Sequence, residues 1–256
     1  MSDAVLYEVK GKAAIATINK PKANQLSLEV FNGLNDALNN AARDKSLRSL
    51  IITGSGDKIF CAGADLTGGF GPYSPIDFLK MAQDVFNKIE FMPIPVIAAM
   101  NGHAFGGGLE MAMACHLRIL KVNSRIGLTE TNLGIMPGYG GTLRLPRLIG
   151  RAKAIECILT GAQIPSEEAL SMGLVNHLAE EGQTLAKALE MAEVLSGRPP
   201  LAVKAILRVM AQAASISPDL HLQHEREELA KLFETKDTME GMMAFAQKRP
   251  AVFIGE

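Results

Sequence analysis

A strand, a helix and a second strand in that order leave a chain few ways to pair, and the order recurs along the first part of this sequence. Ala13 to Ile18 reads as a short buried strand, and Pro21 ends the extended run. Ser27 can cap a following helix in which Val30, Phe31, Leu34, Ala37, Leu38 and Ala41 share one face. Leu50 to Thr53 makes the next strand, closed by the turn-forming Gly54, Ser55, Gly56 and Asp57. Strands joined this way are expected to lie parallel. The alternation continues with a helix over Asp77 to Glu90, a strand over Pro95 to Met100, an apolar helical run over Leu109 to His116 and a strand over Leu117 to Val122. Glycine-rich loops are expected at Phe60 to Tyr73 and Arg125 to Thr142.

The later chain reads differently. Arg151 to Leu159 is a helix stopped by Gly161, and Ser166 to Met172 adds a turn or two. Beyond Leu174 to Leu178 only helices are expected: Thr184 to Leu195, Leu201 to Ala213, Pro218 to Glu234 and Thr238 to Gln247. Pro199 and Pro200 mark a boundary, so periodicity gives an α/β unit over residues 1–198 and a helical unit over 199–256. Leu222, Leu229, Leu232 and Phe233 form an apolar stripe in the second unit that must pack on something.

Composition excludes several partners. A net charge of -1 over 256 residues supplies no field to hold nucleic acid or an anionic membrane. Cys61, Cys115 and Cys157 form no C-x-x-C pair, which fits a reducing compartment, and a cytoplasmic location is expected. Asp3 and Glu8 precede any apolar stretch, so no secretory leader is expected, and the apolar runs fall short of the roughly 20 residues a membrane helix needs. The five histidines include no H-E-x-x-H spacing, and no metal site is expected. Phosphate-loop, dinucleotide-binding and nucleophile-elbow strings are also missing.

Three glycine-bearing segments carry the chemistry. Phe60-Cys61-Ala62-Gly63-Ala64-Asp65-Leu66 is either an ordinary turn with an Asp cap or a loop with a free backbone N–H for a polarised carbonyl. Gly106, Gly107 and Gly108 precede an apolar helix with no side chains to shield their amides, and the helix dipole favours negative charge there. Glu110 follows in the first turn, where apolar Leu109, Met111, Ala112 and Met113 surround it. A buried acid needs a partner or a job. Glu130 opens the third segment, which runs through Gly134 and Pro137 to Gly138, Tyr139, Gly140, Gly141 and Thr142. Alone, it reads as a solvated loop carboxylate.

Together, the segments F-C-A-G-A-D-L, N-G-x-A-x-G-G-G-x-E and E-x-x-L-G-x-x-P-G-x-G-G-T resemble the enoyl-CoA hydratase, or crotonase, superfamily in order and spacing over nearly the whole chain. The resemblance implies a spiral of repeated strand, strand, helix turns, with terminal helices that build a trimer or a dimer of trimers. It implies an oxyanion hole from the backbone amides of Ala64 and Gly107, catalytic carboxylates at Glu110 and Glu130, and a water held by the amide of Gly138. It places coenzyme A along Lys22, Ala23, Ala62, Asp65 and Leu66, with Phe245 and Lys248 approaching, commonly from a neighbouring subunit. Coenzyme A then arrives as part of the thioester substrate, and no permanently bound cofactor is expected. Reversible hydration of a 2-enoyl-CoA is the implied reaction, with isomerisation, decarboxylation, hydrolysis, hydration of a cyclic dienoyl-CoA and non-catalytic acyl-CoA binding as alternatives. The sequence departs from the family pattern at His116, where Asp is common, at Thr129, where Pro is frequent, and at Tyr139, where a small residue is usual. Tyr139 either walls the acyl pocket or offers its hydroxyl to a water, and Phe70, Tyr73 and Phe105 either shape acyl specificity or pack.

Overall fold

The computed structural model describes residues 3–213 and 215–256; the expected units 1–198 and 199–256 include three positions outside them. Strand β1 (Val5–Lys10) runs antiparallel to β2 (Ala13–Ile18), with Val5 opposite Ile18. Periodicity does not announce β1, because it is an edge strand whose Leu6 and Val9 stay half exposed beside charged Glu8 and Lys10.

From there the chain climbs by a repeated step. Helix α1 (Leu28–Arg43) leads to β3 (Ser49–Gly54) and β4 (Ile59–Cys61). Helix α2 (Pro75–Glu90) leads to β5 (Val96–Met100) and β6 (His103–Phe105), and α3 (Gly107–Ala114) to β7 (Leu117–Lys121) and β8 (Arg125–Gly127). A single 3-10 turn (Glu130–Leu133), α4 (Gly141–Ile149), α5 (Arg151–Thr160), β9 (Ile164–Pro165), α6 (Ser166–Ser171), β10 (His177–Ala179) and α7 (Thr184–Ser196) complete the α/β part. The first strand of each pair joins a six-stranded sheet of order β1-β2-β3-β5-β7-β10, and the second joins a four-stranded sheet of order β4-β6-β8-β9. Apart from the antiparallel edge pairs β1-β2 and β8-β9, all neighbours are parallel. This is a spiral of strand, strand, helix turns.

The large sheet is covered on both faces, so its strands read as unbroken apolar runs. Leu50 and Ile52 face the main core with Phe31, Leu34 and Leu38 of α1, while Ile51 faces a second core built with Ala188 and Ala192 of α7. Burying such side chains stabilises by about 1.5–3 kcal/mol each.

Several local expectations change. Ser27 is the residue before α1, but its hydroxyl donates to Glu29 instead of capping the helix. Helix α3 takes in Gly107 and Gly108 and ends before Cys115. A Cβ at Gly108 would lie 2.2 Å from the Cys61 carbonyl oxygen, so close packing on β4 overrides the poor helix propensity of glycine. The expected loop from Arg125 to Thr142 contains β8 and the 3-10 turn. His116 is structural: Nδ1 accepts from the Val96 amide at 2.8 Å, and Nε2 lies 3.2 Å from the Glu90 carbonyl.

Helices α8 (Pro200–Gln212), α9 (Pro218–Phe233) and α10 (Lys236–Gln247) follow. No residue of α9 is buried, and Leu222, Leu229 and Phe233 of the apolar stripe are exposed.

Candidate active site

Strands β4, β6 and β8 are parallel neighbours, so the segments leaving them emerge at one edge of the small sheet. Ligand sites in parallel sheets form at that edge. Here Ala62 to Leu66, Gly106 and Gly107, and Thr129 and Glu130 line one cavity of about 950 Å³, closed on the other side by Pro137 to Gly140 and residues of α2.

The two loops expected to supply amides are in contact. Gly63 has φ +100°, and a Cβ there would lie 3.0 Å from the Phe105 carbonyl oxygen and 3.4 Å from the Gly107 nitrogen. Only glycine permits that approach. Gly63 accepts from the Leu26 amide and Asp65 donates to the Leu26 carbonyl, the pattern of a parallel bridge. The Ala64 N–H between them points the other way, as alternate groups of extended backbone do. Gly107 is the first residue of α3, where an N–H has no helical partner. Neither amide has a protein acceptor among the described residues.

Glu110 is 1% exposed. Its Oε1 accepts from the amides of Tyr139 at 2.8 Å and Gly141 at 2.7 Å, while Oε2 has no protein donor among the described residues. Burial pushes its pKa up to about 7; the Gly141 and Tyr139 N–H groups oppose that rise and the Glu130 charge adds to it. Glu130 is buried at the start of the 3-10 turn, and its pKa is also raised by burial. Its carboxylate rests on Gly106, where a Cβ would lie 3.2 Å from Oε1. The other oxygen, Oε2, is buried with no protein partner among the described residues. Such an orphan belongs to a working site or to a bound water.

The remaining expected residues divide. Gly138 lines the cavity, and its carbonyl accepts from Gln83 Nε2 at 2.8 Å. Ala62, Asp65 and Leu66 line it too, but the Asp65 carboxylate is occupied by Lys20 Nζ at 2.7 Å and by Thr67 and Gly68. Those partners, Lys20 first, hold its carboxyl well below the usual range. Lys22, with φ 81°, and Ala23 are outside the cavity wall, although the Ala23 carbonyl accepts from the Ala62 amide at 3.0 Å. Phe245, which is 88% exposed, and Lys248 are not brought to the cavity within this chain. Phe70 lines the cavity; Tyr73 and Phe105 do not. Tyr139 is an aromatic wall, edge-on to Phe31 and Phe86 at 5.6 and 5.8 Å between centroids, with its ring where a Gly107 side chain would be. Sequence reasoning missed Gln83, Asn87 and Arg144. The available signal was Arg144 itself, a cation in the first turn of a helix, where the dipole disfavours it unless an acid is near.

A family model for enoyl-CoA hydratase/isomerase matches residues 8–256. The chain belongs to that family. As a family member it is 38% identical to a short-chain-enoyl-CoA hydratase of Clostridium acetobutylicum, covering 96% of this chain and 95% of the relative. It is also 38% identical to a crotonyl-CoA hydratase of Syntrophomonas wolfei, covering 98% of each. The crystal structure of an enoyl-CoA hydratase from Bacillus anthracis superimposes with a TM-score of 0.94 at 36% identity, covering 99% of this chain and all of that one. The spiral is therefore the crotonase fold of this family. Among the described residues no helix is long and apolar enough to cross a membrane, and no cluster of three His, Cys, Asp or Glu is arranged to hold a metal.

Proposed function

We propose that the protein is a hydro-lyase, an enoyl-CoA hydratase, that adds water reversibly to a 2-enoyl-CoA to give a 3-hydroxyacyl-CoA. One observation carries this reading: two buried carboxylates with raised pKa values share a cavity with two unpaired backbone amides. The thioester oxygen sits between the amides of Ala64 and Gly107, which stabilise the enolate that forms when the β-carbon is attacked. Glu110 Oε2 takes a proton from water as its oxygen bonds to that carbon, and Glu130 delivers a proton to the α-carbon. The Gly138 amide holds the water. In the reverse direction the two carboxylates exchange roles.

Coenzyme A enters with the substrate. Lys22, Ala23, Ala62, Asp65 and Leu66 flank its path in this proposal, Asp65 through its backbone because its carboxylate is engaged by Lys20. Phe245 and Lys248 complete the site from a neighbouring copy in a trimer or dimer of trimers. The exposed stripe of α9 supports an oligomeric role for residues 199–256, with 1–198 as the catalytic unit, and a cytoplasmic location fits the chemistry. The test is spectroscopic: the protein bleaches the conjugated thioester absorbance of crotonyl-CoA or of longer or cyclic enoyl-CoAs. Loss of absorbance from none of these defeats the assignment.

A further inference from the structure

The loop that binds Glu110 is held from behind by α2 and α4. Its peptides are trans, so each carbonyl points away from the N–H of the next residue. In the first peptide, Gln83 holds the Gly138 carbonyl while the Tyr139 N–H reaches Glu110 Oε1. In the third, the Arg144 backbone N–H holds the Gly140 carbonyl while the Gly141 N–H reaches the same oxygen. The middle peptide has its carbonyl, that of Tyr139, on Arg144 Nη1 at 3.1 Å.

Arg144 is 3% exposed, and its Nε and Nη2 groups are committed to α2. Nε donates to Glu90 Oε2 at 2.9 Å and Nη2 to Asn87 Oδ1 at 2.8 Å, and Nη2 is also ion-paired with the same Glu90 oxygen at 2.8 Å. The guanidinium is planar, so these contacts fix its orientation as well as its position. Gly140, with φ +106°, lies so close that a Cβ there would be 2.2 Å from Nη1. No side chain could stand between the loop and the guanidinium.

We infer that Arg144 is a positioning residue for hydration: anchored on Asn87 and Glu90, it sets the middle peptide of the 138–141 loop so that the flanking N–H groups converge on one oxygen of Glu110 and leave the other for water. This rests on the reading of Glu110 as the base. The charged and titratable groups acting on Glu110 are Glu130 from the 3-10 turn, Arg144 from α4 and Tyr139 from the loop. Glu90, which neutralises Arg144, also meets Arg147 at 3.6 Å.

Arg144→Lys keeps the positive charge and removes the planar fork, which isolates geometry from electrostatics. Its kcat for crotonyl-CoA is expected to fall about tenfold to a hundredfold, with KM changed less than about threefold. With the amides no longer converging, the acid limb of the kcat–pH profile is expected to move up by about half a pH unit or more. A purely architectural role lowers the melting temperature and the active fraction without moving that limb. The inference fails if Arg144→Lys retains kcat and the acid limb while Glu110→Gln abolishes turnover; the base assignment fails if Glu110→Gln itself stays active. Should Arg144→Lys show no cooperative melt, Glu90→Gln, which keeps the guanidinium and weakens its anchor, decides the question by the same limb: an upward shift supports the inference, and an unmoved limb overturns it.

Discussion

The two carboxylates reach the cavity from opposite kinds of structure. Glu110 belongs to α3, every residue of which is buried, and one of its oxygens is gripped by two amides. Glu130 opens a one-turn 3-10 helix in which it alone is buried, and its Oε2 has no protein partner among the described residues. A group held at one oxygen keeps the other aimed, as a base working on a single water must. A carboxyl with one oxygen left without a donor is ready to hold a proton there and release it to substrate.

Replacing each acid tests that contrast most severely. Glu110→Gln is expected to cost about 10³–10⁴ in kcat and Glu130→Gln at least about 10², with affinity for coenzyme A retained in both. Equal and parallel losses in binding would assign the two side chains to structure and erase the distinction. The pH profile should show the next largest effect. In its proposed role as base Glu110 must be ionised, so kcat is expected to fall about tenfold per pH unit below an acid limb near its pKa of about 7. A limb at the ordinary carboxylate value would mean the pocket does not desolvate Glu110 during turnover.

Stability carries the same signature with smaller amplitude. Because folding raises the Glu110 pKa from 4.5 to about 7, the native state binds more protons than the unfolded chain in that interval. Stability from this group is fully present below pH 4.5 and is lost as pH rises through about 7. Glu110→Gln cannot ionise, so relative to the parent it is expected to gain about 1–3 kcal/mol at pH 8 and much less at pH 5. Denaturant melts at the two pH values check it, and a gain that is equal at both points to packing instead of charge. An inactive but more stable variant is the expected mark of a site whose function opposes folding.

The sequence resolves the two regions unequally for a physical reason. The spiral's inner strands are buried on both faces, so β2, β3, β5 and β7 stand out as apolar runs, and glycines mark the places where backbone approaches backbone. The loops proposed to form the oxyanion hole were legible because Gly63 and Gly108 are required by close contacts that no other residue allows. Edge strand β1 was not, since an exposed strand loses its apolar signature. Helix α4 was hidden by Pro146 and by its glycine start, and Arg144 with it. Nor does a sequence say that Gln83, Asn87 and Glu90, more than 50 positions before their partners, line up to hold one loop. Such pairings exist only once tertiary structure brings α2 beside α4.

Tyr139 sharpens the comparison from the side of the wall that both acids share. Its ring meets Phe31 and Phe86 edge-on and fills the space beside Gly107, while its hydroxyl makes no hydrogen bond among the described residues. Burial, chiefly, pushes its pKa up to about 12, so the group stays protonated throughout the working range. A hydroxyl without a partner contributes little to folding, so Tyr139→Phe is expected to change stability by less than about 1 kcal/mol and kcat by less than about threefold. Tyr139→Ala removes the ring itself and is expected to cost about 3–5 kcal/mol. If Tyr139→Phe instead melts normally but loses tenfold in kcat, the hydroxyl is bound to the reacting water, and the water is then held by a side chain as well as by the loop. The role of the 138–141 loop would have to be divided between its backbone and this one oxygen.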